Sequence, residues 1–399
     1  MTVEADRVPE GTGLELLRSV LSWSRDRDYV GWDYADGASS RLLSALPFDS
    51  GWLTLAVQET VKRAPVNLRP LFLVEQRANF MGTALFAMAN LTTHRLTGED
   101  RFLADALTLG NRLLTLQSDR VPEFAGCHRH DLQGLDGRTP AGTPGIVGTS
   151  YGVRALLRLA ECADRPFDDV AHTAADFPFE HLDYSECPDG ARIRYKPTET
   201  GDYYTLNANA LGARTLLDLH ADRPSSRLRE GATKILDYVV SRQTDVGGWY
   251  YRDPPGASHL SMDSHHNGFI IESLVRYEEV VGDGRYDDAI ADALAFYRDL
   301  FEPDGVPRFD ESEPYPRDIH ASSQGVIVFA RCRDLATARR ILDWAREHLY
   351  AGDGRFYFRK HRYHTKRTTL MRWCQAWMAF AVAEYLAARD LRDEPGVEP

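Results

Sequence analysis

YYTLNANALGARTLLDLH (203–220), SSRLREGATKILDYVVSRQ (225–243) and SHHNGFIIESLVRYEEVV (264–281) are three successive helical stretches of two different characters. In the middle one, Leu228, Ala232, Ile235, Leu236 and Val239 recur at helical spacing and leave Arg229, Glu230 and Lys234 for solvent, the pattern of a helix with one wet face. The two flanking stretches are small or apolar around most of their circumference, which predicts burial on all sides. A buried helix, a surface helix and another buried helix in sequence read as two rings, one inside the other.

The alternation extends outward in both directions. Surface-type helices are predicted over 52–62, 99–117, 167–178, 225–243, 284–301 and 334–349, and buried-type helices over 79–97, 146–162, 203–220, 264–281, 318–332 and 367–388. A further helix is predicted at 14–26. Turns from buried to surface helices are short, as at Gly98 and at Gly282 to Gly284, whereas the links 118–145, 179–202, 244–263, 302–317 and 350–366 are long. Several of the long links open on glycine followed by aromatics: Gly248-Trp249-Tyr250-Tyr251, Gly305 to Phe309, Gly354 to Phe358. The repeat of roughly 60 residues is too long and irregular for an open solenoid. It predicts an all-α fold, an (α/α)6 toroid or six-hairpin barrel, with long aromatic loops on one face. Residues 1–50 are expected to form an N-terminal helix and extension packed on the barrel, 51–390 the toroid, and 391–399 a flexible tail. The inner helices would all present their N-termini to the loop face, where free N–H groups and the helix dipoles favour an anion.

Composition narrows the function. The net charge is −12 and lysine occurs only at Lys62, Lys196, Lys234, Lys360 and Lys366, which excludes the basic patch that a nucleic-acid partner needs. The five cysteines are widely spaced and form no C-x-x-C pair. The N-terminal residues lack the basic and apolar regions of a signal peptide and no apolar run of membrane-spanning length follows, so a cytoplasmic protein without an integral membrane segment is expected, a monomer or dimer. Glycine-rich nucleotide loops, Gly-x-Ser-x-Gly and H-E-x-x-H are absent, and arginine interrupts the Cys127-His128-Arg129-His130-Asp131 and His361 to His364 clusters. No metal and no cofactor are therefore expected.

Polar residues gather where buried helices begin. Asp263, His265 and His266 open one, with Asp263 suited to the N-cap; Arg317, Asp318, His320 and Gln324 open the next; Tyr203, Tyr204, Asn207 and Asn209 open a third; Arg372 and Trp373 lie in the last. Caps, satisfied core histidines and interhelical hydrogen bonds would account for the same residues without a site. Read as a site, His266, His320 and a phenol from Tyr203 or Tyr204 are the proton-transfer groups. A buried guanidinium such as Arg372 needs a carboxylate, the protein's own or a ligand's. Trp249 and Tyr251 offer flat surfaces for a sugar ring.

The segments Asp28 to Gly37, Pro65 to Leu71, Tyr204 to Gly212, Asp263 to Gly268 and Tyr315 to His320 resemble six-hairpin proteins of prokaryotic glycan-assembly clusters, in particular the haloarchaeal AglQ type of N-glycosylation isomerase. The resemblance spans nearly the whole chain, and its pattern Asp-x-x-His-x-Gly falls on Asp263, His266 and Gly268. More distantly the chain is similar to glucuronyl C5-epimerases, uronate lyases and unsaturated glucuronyl hydrolases, which share a toroid and differ in chemistry. The resemblance implies an epimerase or isomerase of a hexuronic acid residue in glycan biosynthesis, acting by proton abstraction and return at C5 on a free or lipid-linked glycan. Arg69, Arg77, His128, Asn207, Asn209, Trp249, Tyr251, Asp263, His265, Arg317, Gln324, Arg372 and Trp373 would bind that acidic saccharide. A lyase or hydrolase on uronate glycans, and a non-catalytic glycan-binding protein, are the alternatives.

Overall fold

The computed structural model describes residues 11–134, 137–163 and 166–393. Fifteen helices are described: α1 (Gly11–Arg25), α2 (Arg41–Ser44), α3 (Gly51–Arg63), α4 (Phe80–Thr97), α5 (Asp100–Leu116), α6 (Ile146–Ala160), α7 (Phe167–Thr173), α8 (Phe177–His181), α9 (Leu206–Asp222), α10 (Ser226–Val240), α11 (Ser264–Val280), α12 (Asp287–Asp299), α13 (Ile319–Arg331), α14 (Leu335–Leu349) and α15 (Trp377–Asp393). The helix α15 is preceded by a π-helical turn, Met371–Ala376. The expected tail is helical as far as Asp393; its remainder and residues 1–10 lie outside the described residues. None of the described helices is long and apolar enough to cross a membrane.

The helices α4, α6, α9, α11, α13 and α15 pack each against the next, and α15 returns to α4, closing an inner ring. Their burial fits the sequence pattern: every residue of α9 from Leu206 to Leu219 is buried. The helices α5, α7, α10, α12 and α14 lie outside them, each antiparallel to the inner helix it follows or precedes through a short turn. The molecule is thus an (α/α)6 toroid.

The sixth outer place is filled otherwise than the periodicity predicts. The segment 52–62 forms α3, but its buried residues Val57 and Val61 join only Val74 in a small separate cluster, and Gly37 packs directly on Gln58. This helix sits over the loop face. The outer ring is completed by α1, tied to α5 by Arg18–Glu99 and Arg25–Asp105 ion pairs at 2.5 Å and to the end of α14 by a 3.1 Å Ser19–Tyr350 hydrogen bond.

The glycine-aromatic repeat has a mechanical cause. In successive links Gly247, Gly305 and Gly354 adopt φ of 91°, 85° and 89°, and each sets its Cα against the backbone of the next outer helix, at Asp292, Arg340 and Ser19 respectively. The last of these contacts places α1 in the ring. A Cβ at 354 would lie 2.5 Å from the Ser19 carbonyl oxygen, whereas at Gly352, also at φ 89°, it would meet nothing within 4 Å. Gly354→Ala is expected to cost about 1–3 kcal/mol, and Gly352→Ala, which carries only the backbone strain, about 1 kcal/mol. Urea unfolding of the two variants measures the difference, and equal losses would show that ring closure on α1 is not sterically tight.

Candidate active site

First-turn residues of all six inner helices line one cavity on the loop face: Met81 of α4, Val147 of α6, Asn207 of α9, His265 and His266 of α11, His320 of α13, and Arg372 and Trp373 ahead of α15. It encloses about 650 Å³, and a side lobe of about 220 Å³ shares Met81, His128, Leu132, Tyr195 and Tyr251 with it. Phe269 and Trp377 form the floor, with Tyr151 packed beneath them at ring distances of 6.1 and 5.1 Å.

Three imidazoles form a row along one wall. The Asp263 carboxylate caps α11 by accepting the His266 backbone N–H at 2.9 Å, and also meets Nδ1 of His265 at 2.9 Å and Nδ1 of His266 at 2.6 Å. A carboxylate at this site only accepts, so His266 carries its proton on Nδ1 and offers Nε2 as the basic atom, while His265 sits at ion-pair distance from the same carboxylate. The His265 ring lies 3.8 Å from that of His266 and 4.7 Å from that of His320. His320 packs on Trp373 and Trp377, and both its ring nitrogens are buried without a hydrogen-bond partner among the described residues. The same three groups, Asp263, His265 and His266, are the one metal-type trio among the described residues. Their ligand atoms are already engaged with one another.

Burial lowers the basicity of His266 and His320. It pushes His320 well below the usual histidine value, helped by His265 and Arg372, and pulls His266 down against the opposing pull of Asp263. His128, buried beside Arg372, is pushed down to about 3, and His130 is lowered too. Burial alone would raise Asp263, but the two imidazoles hold it well below the carboxylate range. Each lowered histidine binds its proton more weakly folded than unfolded, so stability is full above pH 6.5 and is lost as pH falls from there toward the folded values. The unfolding midpoint is expected to decline already between pH 6.5 and 5, above the range in which carboxylates titrate. A flat profile down to pH 5 would mean that these imidazoles are solvated.

Cations line the same cavity beside the histidine row, Arg359 being held by the Asp318 that caps the His320 helix. Lys62, Arg63, Arg359, Lys366 and Arg372 line the cavity against the carboxylates Asp263, Asp310 and Asp318, in a chain of net charge −12. Three of the five lysines reach the two lobes, Lys196 being in the smaller one. Burial, with Arg69 and Arg359 nearby, lowers Lys366 to about 8. Nε of Arg372 is held by both oxygens of Asp33 at 3.0 and 2.9 Å, and Asp33 in turn accepts from Asn79 at 2.7 Å. Asp318 caps α13 and accepts from Trp373 Nε1 at 2.9 Å and from Arg359 at 2.5 Å.

Of the residues singled out in the sequence, the cavity brings together His128, Asn207, Tyr251, Asp263, His265, His266, His320, Arg372 and Trp373. The others lie elsewhere. Tyr204 is turned out by strand pairing of Tyr204–Thr205 with Arg252–Asp253 and sits under Arg192 and Arg194; Tyr203 lies under Arg252. Asn209 clamps the backbone N–H and carbonyl of Ile193, as Asn267 clamps those of Trp249, so both amides tie a loop to an inner helix. Trp249 is core, donating to the Val239 carbonyl. Arg69 is locked on Asp36 and on the Asp33 carbonyl, Arg77 on Glu75 and the Arg129 carbonyl, and Arg317 on Glu302. Gln324 points below the floor to Glu272. Lining residues that sequence reasoning passed over are Tyr34, Tyr195, Arg359, Lys366 and Trp377. All but Trp377 come from links, where periodicity gives no direction.

No family model matches the sequence, and no curated protein matches it. Solved structures do match. A cellobiose 2-epimerase from Bacillus thermoamylovorans superposes with a TM-score of 0.62 at 12% identity, over 78% of this chain and 88% of that one. A D-mannose isomerase gives 0.59 at 10%, over 77% and 87%. A glycoside hydrolase family 76 mannosidase from Bacteroides thetaiotaomicron gives 0.60 at 13%, over 96% and 100%. This chain shares their toroid fold. At such identities the likeness speaks for architecture, and chemistry has to be argued from the site.

Proposed function

We propose that this protein is a carbohydrate-active enzyme, an epimerase or isomerase of a hexuronic acid residue, in which the imidazole row moves a proton on the sugar. The observation that carries this reading is that the row His266, His265, His320, anchored at Asp263, shares one cavity with Lys62, Arg63, Arg359, Lys366 and Arg372. Desolvated imidazoles such as His266 and His320, held below the usual histidine value, are competent bases, and surrounding guanidinium and ammonium groups would neutralise a sugar carboxylate and the charge that develops on deprotonation. The aromatic floor of Phe269 and Trp377 suits the apolar face of a sugar, and the side lobe gives room for a second unit. Two of the matching structures are named as a sugar epimerase and a sugar isomerase.

Hydrolysis is less well supported, because it needs a carboxylic acid kept protonated opposite a carboxylate. Asp263 and Asp318 are both helix caps engaged by bases, and Asp310 accepts bonds from its own turn at Ser312 and Glu313.

The row also bears on where the proton moves. His265 touches both neighbouring rings, so no sugar fits between His266 and His320, and the row serves one face of the substrate. One-face transfer suits enediol chemistry between C1 and C2 of a reducing-end uronate; inversion at C5 would require Lys366 or another of the cavity's cationic groups as the second partner. Incubation with hexuronic acids and their disaccharides in heavy water, followed by NMR, decides. Deuterium at C1 or C2, or at C5, without chain cleavage is expected. Cleavage would point to a lyase or hydrolase, and saturable binding without exchange to a glycan-binding protein.

A further inference from the structure

Below the aromatic floor the bore of the ring turns from apolar to ionic. One or two helical turns on from the site residues, Arg154, Arg214, Glu272 and Gln324 point inward, and beyond them Arg158, Asp218 and Arg331. This layer opens at the face opposite the loops in a separate cavity of about 410 Å³. Most of its charges are matched. Arg158 grips Glu384 at 2.8 and 3.3 Å, Arg331 grips Glu279 at 2.8 and 2.9 Å, and Arg276 meets Asp218 at 2.7 Å. Arg214 contacts Glu272 at 3.2 Å, and the other Glu272 oxygen accepts from Gln324 at 2.7 Å.

Arg154 is left over. It is 4% exposed, its nearest carboxylate oxygen is that of Glu272 at 3.8 Å, and neither terminal nitrogen has a hydrogen-bond partner among the described residues. Nε of Arg214 also lacks a hydrogen bond among the described residues, with Asp218 at ion-pair distance, 3.6 Å, and burial together with Arg154 and Arg331 lowers the Arg214 guanidinium to about 10. Five guanidinium groups thus face four carboxylates. Glu161 and Asp222 also line this cavity and are engaged at its rim by Arg95 at 2.6 Å and His172 at 2.8 Å. The inner helices present their negative ends here, so an anion would be held by guanidinium groups and not by helix dipoles.

We propose that this lower cavity is a second binding site, for an oxyanion of the phosphate class gripped by the two terminal nitrogens of Arg154 and flanked by Arg214 and Arg158. The planar fork suits a phosphate edge; besides Glu272 at 3.8 Å it meets only the faces of Tyr151 and Phe380, which leave its N–H groups without hydrogen bonds among the described residues. The site is walled off from the upper cavity by Tyr151, Phe269 and Trp377, so it serves an effector or a structural ion and not the sugar under reaction.

Thermal unfolding in inorganic phosphate, in glucose 1-phosphate and in sodium chloride at matched ionic strength tests this on the whole protein. Inorganic phosphate at about a hundred times its dissociation constant is expected to raise Tm by roughly 3 °C over chloride. An equal rise with glucose 1-phosphate marks a phosphomonoester site, and a rise with inorganic phosphate alone a free-ion site. Arg154→Met is expected to abolish the shift while exchange of the sugar proton continues; if that variant does not fold, Arg154→Lys, which keeps the charge but not the fork, takes its place. An equal rise in every salt, or a full phosphate shift in the Arg154 variant, would assign the effect to screening or to the upper cavity and overturn the proposal.

Discussion

Asp263→Asn is expected to slow proton exchange on the sugar about 10³-fold while the protein stays folded. The carboxylate has two duties that the amide separates. As N-cap of α11 it accepts the His266 backbone N–H, and asparagine caps a helix about as well, so the urea midpoint should hardly move. As anchor of the row it accepts Nδ1–H from His266 at 2.6 Å and lies 2.9 Å from Nδ1 of His265. Asparagine has one accepting oxygen and one donating nitrogen. Whichever ring faces the amide nitrogen must move its proton to Nε2 or turn away, and in either case it loses its basic atom toward the cavity. The lost charge also stops supporting an imidazolium formed during transfer. Exchange rates by NMR and unfolding curves on the same preparation measure the two duties. A loss below about tenfold would mean that the row is not the base, and His320, with no anchor of its own, would be the group to test next.

The fold was legible because burial and periodicity are the same physical fact. A helix surrounded by neighbours is small or apolar on most sides and carries charge only where a neighbouring helix answers it, as Glu272 answers Arg214, and α9, α11 and α13 display this in their sequences. Partner choice was not legible. An amphipathic stripe states that α1 and α3 each cover something apolar, and only the seat of Gly354 on Ser19 shows which of them closes the ring. For the site, polar residues at the starts of buried helices were a sound signal with two sources. His265, His266, His320 and Arg372 reach the cavity, whereas Asn209, on another side of α9 from Asn207, clamps a loop, and Gln324, one turn beyond His320, enters the ionic layer. The four residues from His320 to Gln324 are about one pitch of the helix. Tyr34, Arg359 and Lys366 reach the cavity through loop pairings such as Arg359 with Lys366, which no local pattern encodes.

The ionic layer makes the sharpest demand on stability, and Glu272→Ala is expected to cost about 3–5 kcal/mol. Glu272 is 1% exposed and holds Arg214 and Gln324 from the centre of the ring, with Arg154 just beyond contact. Alanine would remove the carboxylate nearest two buried guanidinium groups and leave an empty volume where the side chain stood. Glu272→Gln keeps the volume and the bond to Gln324 but drops the charge, so it isolates the ionic part and should recover only some of the loss. The second anion site sharpens the expectation. With Glu272 gone, the positive surplus around Arg154 and Arg214 grows, so phosphate should stabilise Glu272→Ala by more than it stabilises the parent protein. Urea unfolding of both variants with and without phosphate gives all four quantities. If Glu272→Ala cost under 1 kcal/mol, water would have to reach the layer freely. A solvated layer could not leave Arg154 short of partners, and the argument for an anion beside it would fall with the same measurement.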